Sequence, residues 1–404
     1  MITSPTVRFL DRSTPPHITT LILLAGISAL NMSIFLPSLS AMAKDFETSY
    51  AVMQLSLSGY LAVTALLQIA IGPISDRYGR RPVILWAMAI FTVATIGAML
   101  APSIEIFLGF RMLQATVAAA MVLSRAIVRD MVPQEEAASM IGYVTMGMAL
   151  VPMVGPMIGG ALDLAFGWQA SFVLLAVCGA GVGLLAYADQ GETIQGQGLS
   201  FAAQFRSYPE LLGSAPFWGY ALCAAFASGC FFAFLGGASF VADQVFGLSP
   251  LWTGIALGAP AIGYAFGNFI SGRFSVQVGI DRMILIGAMI LIGGMGVSLG
   301  LGLLGLTNAL AFFGFCTFVG VGNGMVMPNA TAGMLSVRPH LAGTASGLGG
   351  AILIGGGAAL SVVAARLLVA GPGALPLQAI MFASAVGGGL SILLVMRRAV
   401  RLAA

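Results

Sequence analysis

Charge is the scarcest property of this chain. Only 8% of its 404 residues are Asp, Glu, Lys or Arg, where soluble proteins carry roughly a quarter. Hydrophobic residues make up 59%, and the mean hydropathy is +0.99. A water-soluble fold is excluded by that balance. Histidine occurs twice, at His17 and His340, both at expected surface positions, so no HExxH zinc helix can form. The four cysteines, Cys178, Cys223, Cys230 and Cys316, stand singly inside apolar runs without a CxxC pair. Packing is the role they support; a disulfide or a metal site has no basis. No GxxxxGK(S/T) phosphate loop occurs, so ATP drive is not expected. Paired aspartates within an apolar run are lacking too, and neither an enzyme nor a cofactor is expected. Basic residues are scattered rather than clustered with aromatics, so the net charge of +3 points to no nucleic-acid partner.

Long apolar runs are what the chain has in quantity. A bilayer core requires ~20 apolar residues per helix, and every backbone polar group inside it must be paired internally. Glycine, proline and charge punctuate the runs, which predicts helices at 18–38, 50–71, 82–100, 103–126, 139–162 and 168–187. A second set follows at 216–236, 250–271, 282–304, 308–332, 342–367 and 374–396. The expectation is an all-α integral membrane protein of twelve transmembrane helices, with the lipid bilayer as its surroundings. Asp189 to Ser214 is the longest polar stretch and reads as a linker (189–214) between two six-helix halves, 1–188 and 215–404. The N-terminal stretch lacks the small-residue cleavage pattern of a secretory signal, so the first run reads as a retained span.

Arginine placement tests that count. Even-numbered connections and the termini hold fourteen arginines, Arg125 and Arg273 among them, while odd connections hold only Lys44 and Arg366. Positive residues mark the cytoplasmic side. Both termini are therefore expected in the cytoplasm, and a multi-pass protein of a bacterial inner membrane is the expected location. The halves also echo one another: SDRYGRRPVI (75–84) has a degraded counterpart in SGRFSVQVGIDRMI (271–284).

Several residues stand out against this apolar background. GPISDRYGRRP (72–82) packs Asp76, Arg77, Arg80 and Arg81 into six positions and reads as a short loop at the membrane surface, with Gly72 and Gly79 allowing tight turns. Its ion pairs are either a topogenic anchor or a gate that breaks and reforms. Arg111 lies inside the fourth span, where an arginine costs ~2.5–3.5 kcal/mol by insertion scales and so faces a cavity or a partner. Two readings stay open: it lines a central cavity, or it is a structural cation bonded to carbonyls and amides of the first helix, such as Asn31 or Ser33. Gln114, one turn on, shares its face. Gly155, Pro156, Gly159 and Gly160 punctuate the fifth span and permit close helix approach. Asn31, Ser33, Gln68, Asn268, Asn323 and Asn329 are polar residues inside spans, and as a set they would furnish a mildly polar chamber. Phe231, Phe232 and Phe234 offer an apolar wall or a packing stripe.

These segments carry a resemblance. GPISDRYGRRP is similar to the signature of the major facilitator superfamily at Gly72, Asp76, Arg77, Gly79, Arg80, Arg81 and Pro82. RMLQATVAAA (111–120) resembles the fourth-helix motif of proton-coupled drug antiporters, with Ala115 where glycine is usual. GMALVPMVGPMIGGAL (147–162) resembles their fifth-helix motif, and SRAIVRDM (124–131) with the segment 321–350 resembles the Bcr/CflA subgroup of drug-resistance transporters. The resemblance implies two six-helix halves related by an axis normal to the membrane, a monomer, and a cavity between the halves involving Arg111, Gln114, Asn31 and Ser33. It implies a cytoplasmic gate at Asp76–Arg81 and a leak-preventing interface helix at Gly155–Gly160. The implied activity is export of small molecules, drugs or metabolites, by alternating access in exchange for protons. An uptake carrier or uniporter is the alternative, because the pattern fails at one place. The subgroup carries an aspartate in the first helix, whereas NMSIFLPSLS (31–40) has none, and Asp130, Asp163 and Asp243 sit near helix ends.

Overall fold

The structure, a computed structural model, describes residues 7–131, 140, 144, 151, 154–194, 208–338, 341–370 and 373–403. Helix α1 spans Ile18–Asp45 and is interrupted by a 3-10 turn at Leu36–Ser38, where Pro37 cannot donate to the helical ladder. The side chain of Ser49 accepts the amide N–H of Val52 and starts α2 (Tyr50–Tyr78). Then follow α3 (Arg80–Met99), α4 (Ile104–Met131), α5 (Val154–Phe166) and α6 (Gln169–Asp189). The second series is α7 (Ala215–Val245), α8 in two pieces (Pro250–Leu257 and Ala259–Val278), α9 (Ile280–Leu303), α10 (Ala309–Val337), α11 (Ala342–Ala370) and α12 (Leu375–Ala403).

Among the described residues, ten helices are long and apolar enough to cross a bilayer: α1 to α4, α6, α7 and α9 to α12. The fifth expected segment is a shorter apolar helix over its described residues. The eighth is helical but carries Asn268, Ser271, Ser275 and Gln277 on its apolar background. Residues 195–207 of the expected linker, Gly147 and Pro152 of the fifth span and His340 lie outside the described residues.

One boundary differs from expectation in an instructive way. The Arg-rich stretch is not a loop, because α2 continues to Tyr78 and α3 begins at Arg80. The whole connection is Gly79, whose φ of +97° is a conformation that side-chain-bearing residues avoid. Pro73 lies inside α2 without ending it, and Gly72 sits within the helix with open space beside it, so neither a turn nor a close approach requires that glycine. The same device recurs at the α8–α9 junction, where Gly279 has φ +88°. Gly79 donates to Ser75 O and Gly279 to Ser275 O, both at 2.9 Å. The sequence echo between 75–84 and 271–284 is thus an echo of backbone geometry.

The start of α1 and the end of α6 meet at one face, here called the basic face. There the Asp189 carboxylate accepts the amides of Leu10 (2.6 Å) and His17 (2.8 Å) and the hydroxyl of Thr20 (2.6 Å). At the opposite, far face an apolar core runs across both series of helices and includes Phe35, Leu39, Met53, Phe234, Leu235 and Val241. A separate core, with Leu24, Phe91, Leu123 and Leu175, belongs to the first series alone. Two hydrogen bonds join the series at the far face: Tyr50 Oη to Gly236 O (3.1 Å) and Gln54 Nε2 to Ser361 Oγ (2.6 Å). In this conformation the far face is shut.

Candidate functional site

Arg111 is fully buried, held between α1, α2 and its own helix. Its Nε donates to Ser56 O (3.0 Å), Nη1 to Asn31 Oδ1 and to Gln114 Oε1 (2.6 Å each), and Nη2 to Asn31 O (2.8 Å). Gln114 in turn donates to Thr95 Oγ1 on α3 (2.7 Å). The guanidinium is sandwiched between the rings of Phe35 and Tyr60, 4.3 and 4.6 Å from their centres. Carbonyl and amide dipoles with two π faces thus replace the water this cation has lost. The cage explains the local backbone as well: α4 tightens into a 3-10 turn at Gln114–Val117, beside the point where Gln114 is drawn into the network.

A cavity of about 300 Å³ lies between the two series of helices. Its walls come from α1, α2 and α4 on one side and α7, α8, α10 and α11 on the other. They are mostly apolar, with Met32, Leu61, Phe231, Phe232, Met327 and Leu353 contributing, and the polar exceptions include Thr64, Arg125, Tyr264 and Asn323. That size and character suit a small organic molecule. Tyr60 forms part of the wall and also covers the Arg111 guanidinium, so one aromatic ring separates the buried cation from the chamber.

The predicted residues therefore divide. Asn323, Phe231 and Phe232 stand on the cavity wall. Arg111, Gln114 and Asn31 form one cluster, but one layer behind the wall rather than on it. Ser33 donates to Ala29 O (3.1 Å) within α1. Asn268 donates to Tyr264 O in its own helix (2.8 Å), and Asn329 ties α10 to Ser271 of α8 (2.8 Å). Phe234 is buried in the far-face core, its ring 6.2 Å from that of Phe313. Gln68 packs beside Gly350, in the contact between α2 and α11.

Sequence reasoning missed Arg125. The arginine count sets it with a connection although the expected span 103–126 reaches it; α4 continues to Met131, so Arg125 lies inside the helix and lines the cavity. Its neighbours Arg129 and Asp130 give the segment a loop-like look, and that polarity masked it. Helical rise places Arg125 about 9 Å from the end of α4 and roughly 21 Å from Arg111.

At the basic face the expected gate residues come together. Arg80 pairs with Asp76 (2.5 Å) and Asp130 (3.1 Å), and also donates to Ser75 Oγ. Arg81 donates to Tyr187 O (3.0 Å) and covers the Tyr187 ring, while Arg77 lies over Tyr78. Glu192, also missed in the sequence, clasps the start of α3: its carboxylate accepts the amides of Arg80 (2.9 Å) and Arg81 (3.2 Å). An acid at a helix N-terminus satisfies free N–H groups and the helix dipole together. A methyl group on Gly79 would strike this carboxylate, so Gly79 is doubly constrained.

In α5, close approach is the evident physical role of the glycines. A methyl on Gly155 would stand 2.9 Å from Ser33 Oγ, one on Gly159 would strike Ile34 O, and one on Gly160 would strike Pro250 O. Across the same seam Gly254 of α8 abuts Pro156 O. Helix α5 thus seals α1 and α8 together at backbone distance.

Carboxylates occupy the two faces, with Asp130 at the basic one, bonded to Arg80, and Asp45 at the far one, bonded to Trp168 Nε1 (2.7 Å). Among the described residues none lines the cavity, and no group of three or more potential ligands that could hold a metal ion occurs.

A helical membrane protein with a small-molecule chamber between two helix series, shut at one face, belongs to the class of membrane carriers. Specifically, the chain belongs to the Major Facilitator Superfamily, whose family model matches residues 21–362. It is 32% identical over 378 residues to an uncharacterised MFS-type transporter of Bacillus subtilis, YdgK, covering 91% of this chain and 92% of that one. It is 31% identical over 350 residues to a chloramphenicol resistance protein of Pseudomonas aeruginosa, covering 81% and 79%. The fold matches the solved structure of a bacterial homologue of the human lysosomal transporter Spinster, with a TM-score of 0.72, 20% identity and coverage of 94% of this chain and 96% of that one.

Proposed function

We propose that this protein is a secondary-active exporter of small molecules, drugs or metabolites, working by alternating access in exchange for protons. The carrying observation is the central cavity: helices from both series wall it, and the far face is sealed by hydrogen bonds and a shared apolar core. Two six-helix halves, 1–188 and 215–404, rock about that cavity while the linker 189–214 keeps them joined. Asp76, Arg77, Gly79, Arg80 and Arg81 act as the gate of the basic face, which is the cytoplasmic one. Arg111, Asn31 and Gln114 transmit cavity occupancy, through Tyr60, to the relative positions of α1, α2 and α4. Similarity to a chloramphenicol resistance protein supports drugs as cargo.

A second reading, transport without proton exchange, is favoured by one observation: no carboxylate among the described residues lines the cavity. Purified protein in liposomes loaded with a pH dye separates the two. A pH gradient is imposed and pooled drugs, amino acids and nucleosides are screened. Compound-dependent proton flux is the expected result, and movement of compound without proton flux would establish a uniporter or exchanger instead.

A further inference from the structure

We infer that the central cavity is selective for amphipathic organic anions, with the acidic group of the solute held at Arg125 and its apolar body against Phe231 and Phe232. This rests on the carrier reading above and narrows its cargo. Three observations lead to it.

The first is the state of Arg125. It lines the cavity from α4, and its Nε is buried with no hydrogen-bond partner. Among the described residues it forms neither an ion pair nor a hydrogen bond, in contrast to Arg80 and Arg111, which are each held by several. The residue as a whole is only half-buried, so a guanidinium with no ion pair of its own is within reach of a solute in the cavity and attracts negative charge there. The second is the pattern of unused polar atoms. Thr64 is 4% exposed and its Oγ1 has no partner; Asn323 is 5% exposed and its Oδ1 has none. Both line the same cavity as Arg125, from α2 and α10. The Thr64 hydroxyl can donate to an anionic oxygen, whereas Asn323 Oδ1 only accepts and would take an N–H or O–H elsewhere on the solute. The third is the absence of opposition. No carboxylate among the described residues stands on the wall. A cationic solute would therefore meet a guanidinium with nothing to neutralise it, whereas a carboxylate, sulfonate or phosphonate would make charge-assisted bonds in a low-dielectric setting. The remaining wall is apolar, so the favoured solute carries a hydrophobic body on its acidic group.

Three probes sharing one apolar body decide the matter: 1-naphthaleneacetate (anion), 1-naphthaleneacetamide (neutral) and 1-naphthaleneethylamine (cation). Their affinities are read by titration calorimetry at pH 7.5 on the full chain in nanodiscs of zwitterionic lipid only, so that no anionic headgroup competes, with empty nanodiscs as blanks. The acid is expected to bind at least about tenfold more tightly than the amide, and the amine more weakly than either. Arg125→Gln should weaken the acid by about tenfold and leave the amide unchanged, while Arg125→Lys should keep most of the preference. Equal binding of the three probes, preference for the amine, failure of the acid to bind, or indifference of the acid to Arg125→Gln would each overturn the proposal. If Arg125→Gln does not survive purification, the ranking on the native protein and on Arg125→Lys decides alone. Binding is read without flux. A protein that prefers the acid yet moves nothing in liposomes refutes export and leaves the anion site standing; one that moves only amines does the reverse.

Discussion

Arg111 shows how a single cation can be tolerated in an apolar interior without an acid beside it. Its four hydrogen bonds consume the carbonyls of Asn31 and Ser56 and the amides of Asn31 and Gln114, and Phe35 and Tyr60 cover its faces. Hydrogen bonds to a charged group contribute about 1.5–3 kcal/mol each in soluble proteins. Arg111→Ala leaves several of those acceptors unpaired between α1, α2 and α4. We expect that variant to insert into the membrane, to lose transport, and to unfold several degrees lower in a thermal scan of the purified protein. Unchanged transport together with an unchanged unfolding temperature would show that the cage does no work. The sequence made Arg111 conspicuous because it is a charge in the middle of an apolar run, and Asn31 and Gln114 were legible as its neighbours. Arg125 was not legible. A charge six residues from a helix end looks like a loop residue until α4 is seen to face α8 and α10 across the cavity.

At the scale of elements, the α2–α3 junction concentrates backbone conformation and charge in one residue. Gly79 has positive φ, and its neighbour space is taken by Glu192, whereas Gly279 has positive φ with open space around it. This pair separates two costs that a single glycine substitution confounds. Gly279→Ala should lower stability by about 1–3 kcal/mol, the penalty for a side-chain-bearing residue at positive φ with extended ψ. Gly79→Ala should cost more, and the excess should shrink in a Glu192→Ala background, where the collision is gone and the φ penalty remains. Thermal unfolding of the four variants and the parent checks the pattern; equal shifts for Gly79→Ala and Gly279→Ala would show that Glu192 is no constraint. Helix α5 offers a similar test. Gly159→Val pushes a branched side chain into Ile34 O, and we expect loss of transport with reduced stability, measured in the same assays. The glycine pattern of α5 was readable as close packing. Its partners, α1 and α8, were not, since nothing in a periodic apolar run names the helix it touches. Likewise the continuation of α2 through Asp76 to Tyr78 escaped a reading in which charge and glycine mark loops.

For the whole molecule, the far face holds the hydrogen bonds and the apolar core that join the two helix series, while the charge cluster of the basic face ties α2, α3, α4 and the 189–194 segment to one another. A rocking motion would exchange these conditions, opening the far seam and bringing the basic-face cluster against the second series. Asp76→Asn removes one of the carboxylates that hold Arg80, and we expect transport to be abolished with membrane insertion intact; transport at the parent rate would take Asp76 out of the gate. The class of fold and ten of the twelve expected spans followed from composition and punctuation, because a bilayer admits few alternatives to such a chain. Which face is shut did not, since it depends on contacts between helices some two hundred residues apart.

Alternating access about the cavity is the central claim, and paired distances at the two faces test it most directly. Val52 and Val245 lie near the far ends of α2 and α7, and Tyr78 and Val276 near the basic ends of α2 and α8; all four side chains are exposed. With the four native cysteines replaced, spin labels at each pair are measured by pulsed dipolar spectroscopy in nanodiscs, with and without a transported compound. The account predicts that the Val52–Val245 distance lengthens while the Tyr78–Val276 distance shortens as the population shifts. Two distances that stay fixed, or that lengthen together, would contradict it.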